Sequence, residues 1–209
     1  MANYDFTKLF SFITKRTIVT DIVQGIILGA VLAYISSTLL INAEVKAMQT
    51  TANGWSITLK CGEPGNGIFL RAACAKDLPA ANLPEEAVYW TATMDGAGNI
   101  LNGQHNYVLH FPHGALPPND AFWSLTMTNV QRLMVANSTN RYSVGDRSGL
   151  VPNADGSVDI YIQNTAPVGH ETNWLPAPSG DFMLWLRAYQ PTAAVLNGGY
   201  KVPAVTEVQ

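Results

Sequence analysis

Charge is scarce in this sequence. Asp, Glu, Lys and Arg form 13% of its 209 residues and leave a net charge of -3. The electrostatic footprint of a nucleic-acid binder is therefore missing, and no nucleic-acid partner is expected. Catalytic signatures are missing too. A nucleophile elbow needs Gly-x-Ser-x-Gly, and the nearest stretch, Gly145-Asp146-Arg147-Ser148-Gly149, has the wrong spacing. There is no His-Glu-x-x-His zinc helix and no Gly-rich phosphate loop ahead of a helix. Strand–helix–strand repeats are absent, which argues against an α/β nucleotide fold. None of these residues calls for a cofactor. Cysteine occurs only twice, as Cys61 and Cys74.

The little charge that is present is unevenly spread. Residues 1–17 carry Lys8, Lys15 and Arg16 against Asp5, for +2, whereas residues 44–209 sum to -4. Between them, residues 22–43 hold no charge at all. Such a run spans about 33 Å as a helix, enough for the hydrocarbon core of a bilayer. A membrane-spanning helix over 18–43 is the expectation. Its basic N-terminal flank puts 1–17 in the cytoplasm of a bacterial-type inner membrane and the remainder in the periplasm. Val45-Lys46-Ala47 has the small-residue pattern of a signal-peptide cleavage site, but the apolar run is longer than a typical signal core. An uncut anchor is expected. Gly25, Gly29 and Ala33 recur every four residues, and Ser37 continues the row. Small residues on one face let another helix come close. The implied partners are other transmembrane subunits or a second copy of the chain, besides the lipid bilayer itself. Residues 44–53 read as a short polar tether, reaching at most about 35 Å.

From 54 onward the pattern has period two. Tyr89-Trp90-Thr91-Ala92-Thr93-Met94 runs into the turn residues 95–99, and Asn106-Tyr107-Val108-Leu109-His110-Phe111 stops at Pro112. Residues 121–128 alternate Phe122, Ser124 and Thr126 with Trp123, Leu125 and Met127. Val158, Ile160 and Ile162 alternate with polar neighbours, and Phe182, Leu184 and Leu186 alternate with Met183, Trp185 and Arg187. Asn, Asp, Gly and Pro bound these runs, as they bound strands. The exception is 67–78, where Ile68, Ala72 and Ala75 share a helical face before Pro79. The expected fold is mainly β: a jelly-roll-like β-sandwich over 54–209 with one short helix, preceded by the transmembrane helix.

Several side chains invite a chemical reading. Arg141, Asp146 and Arg147 are the most interesting charged set in a poorly charged chain. With Asn173 and Trp174 they could form a cleft in which Arg forks onto an anionic or carbonyl group. The structural alternative, which we favour, is an Arg–Asp pair stapling a long loop to the sandwich. Trp123, Trp174 and Trp185 read as core more readily than as a sugar-stacking platform. His110 and His113 could bind metal only with a third ligand such as His170, and His105 has no evident partner. Two edge histidines, and no metal, are the expectation. Outside the cytoplasm Cys61 and Cys74 would pair, unless they are two buried thiols.

Ordered motifs then carry a resemblance. They are Leu109-His110-Phe111-Pro112, Leu116-Pro117-Pro118, Ala121-Phe122-Trp123-Ser124-Leu125-Thr126, Asn140-Arg141-Tyr142-Ser143-Val144-Gly145, Asn153-Ala154-Asp155-Gly156-Ser157, and Asn173-Trp174-Leu175-Pro176-Ala177-Pro178. Over residues 85–205 the chain resembles the bacterial envelope family known as domain of unknown function 1214. Gly54-Trp55, Ala72-Ala73 and Glu85-Glu86-Ala87-Val88-Tyr89 resemble its short, membrane-anchored members, which lack the partner domain numbered 1254 of larger relatives. The resemblance implies a jelly-roll-like sandwich in the cell envelope and no particular reaction.

Two functional expectations follow. The first is a non-catalytic accessory or scaffold subunit of an inner-membrane assembly, respiratory or photosynthetic, whose β domain covers a partner surface. The second is an envelope protein that binds or hydrolyses glycans or lipids.

Overall fold

The computed structural model describes residues 6–79 and 81–208, with side chains from Thr17 onward. Helix α1 runs from Phe6 to Met48. From Thr17 to Met48 it is long and apolar enough to cross a membrane. Its large side chains there, from Ile18 to Leu40, stand exposed. The backbone of the basic flank, with Lys8, Lys15 and Arg16, lies within this helix, while those side chains fall outside the described residues.

The stretch expected as a tether is structured. Residues 44–48 are the last turn of α1, and Thr50–Ala52 forms β1, which pairs with β2, Trp55–Ile57. The two residues between them, Asn53 and Gly54, both have positive φ. This is the two-residue turn whose twist suits a hairpin, and Asn-Gly is its strongest sequence signal. A Cβ on Gly54 would lie 2.8 Å from the Asp95 carbonyl oxygen, so the turn packs directly on the next one. Asn53 and Trp55 donate to the carbonyls of Val202 and Pro203. The hairpin is part of the domain, and the chain has no free spacer there.

Helix α2, Ile68–Asp77, follows. A disulfide between Cys61 and Cys74 clips it to the segment after β2. The remaining strands are β3 (Ala87–Ala92), β4 (Asn106–Phe111), β5 (Asn119–Asn129), β6 (Ser143–Gly145), β7 (Val158–Gln163), β8 (Trp174–Pro176) and β9 (Phe182–Pro191). A short α3 (Ala193–Leu196) and β10 (Val205–Val208) complete the chain. They form two sheets, ordered β1-β2-β3-β9-β5-β6 and β10-β4-β7-β8. All neighbours are antiparallel except β7 and β8. The fold is thus mainly β, two sheets with short helices behind one long apolar helix.

Alternation decides where the core lies. Trp90 on β3, Leu186 on β9 and Leu125 on β5 point into the space between the sheets, where they meet Leu109, Ile160 and Leu175 of the second sheet. Each such side chain contributes on the order of 2 kcal/mol through burial. The opposite face of the first sheet is also partly covered. Met183 and Trp185 join Met48, Cys61, Ala73, Cys74 and Leu78 in a second cluster, with Ile41 and Val45 of α1 against it. The described molecule therefore has a helical layer, a central sheet and a second sheet.

One turn carries a pH-dependent contribution. Asp95 is buried, which opposes its ionisation, but its carboxylate accepts from the backbone N–H groups of Ala97 and Asn99 and from the Asn99 side chain. These hydrogen bonds outweigh burial and hold its pKa below the ordinary carboxylate value. A depressed acid stabilises the fold above its unfolded pKa and loses that contribution as pH falls through the folded value. In urea unfolding, stability should drop below about pH 4, and Asp95→Asn should flatten part of that slope. An unchanged slope would place the acid sensitivity elsewhere. Replacing Cys61 and Cys74 by Ser should lower stability by about 3 kcal/mol, with reductant producing the same loss in the unaltered chain.

Candidate binding face and cleft

The outer face of the first sheet holds the chemistry. On central strand β9 it presents Met183, Trp185, Arg187 and Tyr189, because Leu184, Leu186 and Ala188 are committed to the core. β5 contributes Phe122, Ser124, Thr126 and Thr128 to the same face, and β3 contributes Tyr89. The helical layer covers the Met183–Trp185 end and leaves Arg187 and Tyr189 half-exposed.

At the boundary between covered and open surface is a cleft of about 240 Å³. Trp185, Arg187, Thr126 and Tyr89 lie toward the sheet. Leu78 and Pro79, just after α2, form one wall, and Arg132 and Met134 of the β5–β6 loop form another. Arg187 Nη1 donates to Thr126 Oγ1 at 3.0 Å. Two guanidinium carbons lie over the Trp185 ring, Arg132 at 5.6 Å and Arg187 at 5.9 Å from its centroid. Such contacts favour a cation modestly. The Trp185 indole N–H donates to Thr128 Oγ1, which in turn donates to the Met183 carbonyl.

The two arginines are not equivalent. Arg132 pairs with Asp77 at 2.6 Å and also donates to the Lys76 and Asp77 carbonyls. For Arg187, no carboxylate among the described residues lies within ion-pair distance. Farther along the face, Arg147 sits 4.4 Å from the ring centre of Phe122, which stacks on Tyr189 at 4.2 Å. Arginines and aromatic rings thus alternate across the sheet.

The residues singled out from sequence are distributed differently. The guanidinium of Arg141 donates to the carbonyls of Glu171, Thr172 and Trp174, holding the turn ahead of β8. The Arg–Asp staple expected for this loop is not formed. The loop is held instead by a guanidinium on main-chain oxygens, a task its fan of donors suits. Asn173 is buried, accepts from the Val151 N–H, and donates to the carbonyls of Val151 and Asp159. Trp174 donates to the Gln163 carbonyl. Asp146 and Arg147 lie exposed in a short 3-10 turn, Asp146–Ser148. The five do not gather into one cleft, and of them Arg147 reaches the aromatic stripe.

The three tryptophans are likewise dispersed. Trp123 is in the main core, Trp185 on the opposite face of the same sheet, and Trp174 in the second sheet. His110 Nδ1 lies 2.6 Å from Asp159, His105 Nδ1 lies 2.8 Å from Glu207, and the His170 ring packs on Tyr161. His113 packs against Gly156. Among the described residues, no three His, Cys, Asp or Glu side chains gather as a metal site. In α1, Gly25, Gly29, Ala33 and Ser37 are exposed, and a Cβ on either glycine would meet nothing within 4 Å.

The sequence pattern places Tyr89, Thr126 and Arg187 on strands and does not mark them, or Arg132, as site residues. A signal existed for Arg187: on β9 a Trp and an Arg share the face opposite the wholly apolar one of Phe182, Leu184, Leu186 and Ala188. Nothing local pointed to Arg132.

Comparison with known proteins adds family and fold. The family described as "Protein of unknown function (DUF1214)" matches residues 86–193. The structure is similar to that of the VPA0106 protein from Vibrio parahaemolyticus, with 30% identity, a TM-score of 0.59, and coverage of 68% of this chain and 35% of that one. The chain therefore spans about a third of that relative's length. A putative uncharacterized protein from Burkholderia cenocepacia aligns at 13% identity and TM-score 0.39, over 84% of this chain and 49% of that one. None of the curated proteins matches the chain.

Asn173→Ala should destabilise the domain by about 2 kcal/mol in urea unfolding, because it removes the side-chain partner of three main-chain groups, those of Val151 and Asp159. A loss below about 0.5 kcal/mol would show that these groups find other partners.

Proposed function

The chain belongs to the DUF1214 family, and on that premise we propose that it is a non-catalytic accessory or scaffold subunit of an inner-membrane assembly, anchored by α1 and presenting its β domain on the periplasmic side. The observation that carries this reading is the coupling of anchor to domain. Ile41, Val45 and Met48 of α1 pack into the cluster that also holds Trp185 of the central strand. Gln49 donates to Asp77, and Lys76 donates to Asn42. A helix joined to its domain in this way sets the domain's orientation at the membrane surface. That is more useful for covering a partner than for a domain swinging on a spacer.

Charge asymmetry supports the periplasmic side, with basic residues preceding the apolar run. The Cys61–Cys74 disulfide also suits an oxidising compartment. Arg141 and Asn173 serve main-chain groups, which supports a structural use of the polar residues nearest β8.

A second reading is an envelope protein that binds a ligand, and one observation favours it: half-buried Arg187 in the cleft has a hydroxyl partner and no carboxylate partner among the described residues.

The subunit reading is tested on the intact chain extracted in mild detergent. It should co-purify with other membrane subunits, or with itself, and Gly29→Leu should reduce that association at least tenfold, since a small-residue helix face depends on close approach. A Cβ added at Gly29 meets nothing within 4 Å in the isolated chain, and the position is exposed, so the fold should be spared. A strictly monomeric species with no companions would overturn the proposal.

A further inference from the structure

The cleft beside α2 has a charge, a shape and a location that together name a ligand class. Its charge is unbalanced. Two guanidiniums flank Trp185, while Asp77 is the carboxylate paired there, and it is held by Arg132 and Gln49. Arg187 is thus a half-buried cation whose remaining N–H groups suit an oxyanion. Thr126 Oγ1 accepts from Arg187, which leaves its own proton to donate to the same oxyanion.

The shape is that of an amphiphile's neck. Leu78, Pro79, Met134 and the Trp185 ring give the cleft apolar walls around its cationic side. A small inorganic anion would leave those walls wet, whereas an anion carrying methylenes would cover them.

The location is beside the anchor. Arg132 grips Asp77 and the Lys76 carbonyl, Asp77 is bonded by Gln49 at the end of α1, and Lys76 reaches Asn42. Asn42 is the second-last residue of the uncharged run, so the wall formed by Arg132 stands where the hydrocarbon gives way to headgroups. Exposed apolar side chains mark the same elements: Ile68 and Phe69 on α2 are 75% and 49% exposed, and Leu133 and Met134 are 63% and 62% exposed. Apolar side chains beside Arg71, Lys76 and Arg132 make the composition of a surface in contact with a lipid interface.

We propose that this cleft binds the headgroup of an anionic phospholipid from the outer leaflet. Arg187 and Thr126 hold the phosphate, and Trp185 and Met134 pack against the glycerol and first methylenes. The proposal rests on the reading that α1 spans the membrane, and it deepens the ligand-binding alternative by naming the ligand. Other arginine contacts on this face, such as Arg147 on Phe122, lie away from the cleft and are not part of the site.

The test uses the full chain in detergent with added lipid, read by native mass spectrometry. Phosphatidylglycerol should be retained about tenfold better than phosphatidylcholine, and Arg187→Gln should lower retention by about tenfold, the effect of one charge-assisted hydrogen-bonded contact. Arg187→Lys should keep part of the preference, and unchanged thermal unfolding of both variants would show that the sheet is intact. Thr126→Val gives an independent second variant, with reduced retention expected. Equal retention of both lipids, or retention untouched by Arg187→Gln, would overturn the proposal. So would inorganic phosphate binding as tightly as the lipid and displacing it, since the site would then be one for free phosphate. Alkaline extraction of native membranes tests the anchor separately. A chain that washes off yet still binds short-chain phosphatidylglycerol through Arg187 would sink the anchor reading and keep the site. A chain that stays in the membrane with lipid retention indifferent to Arg187 would do the reverse.

Discussion

Strand β9 is covered on both faces, and the rest of the structure depends on that. It lies between β3 and β5, with Leu184, Leu186 and Ala188 turned into the space between the sheets and Met183 and Trp185 turned toward the helices. A central strand with two apolar faces cannot leave either in water without losing several kcal/mol of burial. One face is met by the second sheet. The other is met by α2 and the end of α1. The Cys61–Cys74 bond holds α2 against that face, and Arg132 draws the β5–β6 loop to its C-terminal end. The cleft forms where this cover stops, at the step from Trp185 to Arg187.

The same constraint links the apolar helix and the domain. Ile41, Val45 and Met48 are the top of an apolar helix and also members of a folded domain's satellite core. The asparagine-glycine turn at Asn53 and Gly54 follows at once, docked on Val202 and Asp95. No length of loose chain separates the anchor from the sandwich. The orientation of the β domain relative to α1 is therefore a property of the fold.

Legibility from sequence varied in a way that chemistry explains. The five alternating runs correspond to β3, β4, β5, β7 and β9, because a strand half-buried in a sandwich writes its period into the chain. The helix expected at 67–78 corresponds to α2, Ile68–Asp77. Short strands such as β1, β2, β6 and β8 went unread, since three residues carry no period. Asn53-Gly54 carries a hairpin signal, but the polar composition of 44–53 ahead of it reads as a tether. Among side chains, Arg141 was noticed for its neighbours in sequence, yet its partners are carbonyls 30 to 33 residues away.

Sequence alone was enough for an apolar helix of membrane-spanning length, a charge step across it, a two-sheet type of domain and the family. Those follow from run lengths, periods and ordered motifs, which are local properties of the chain. Tertiary structure alone decided that Trp123 enters the core while Trp185, on the neighbouring strand, faces the helices. It also brought Arg187 to Thr126, 61 residues away, and set Arg132 over the same indole as Arg187. These depend on the register of β5 against β9 and on where the disulfide-clipped helix comes to rest. A one-residue slip would turn every one of those side chains to the other face, so the site exists only once the register is set.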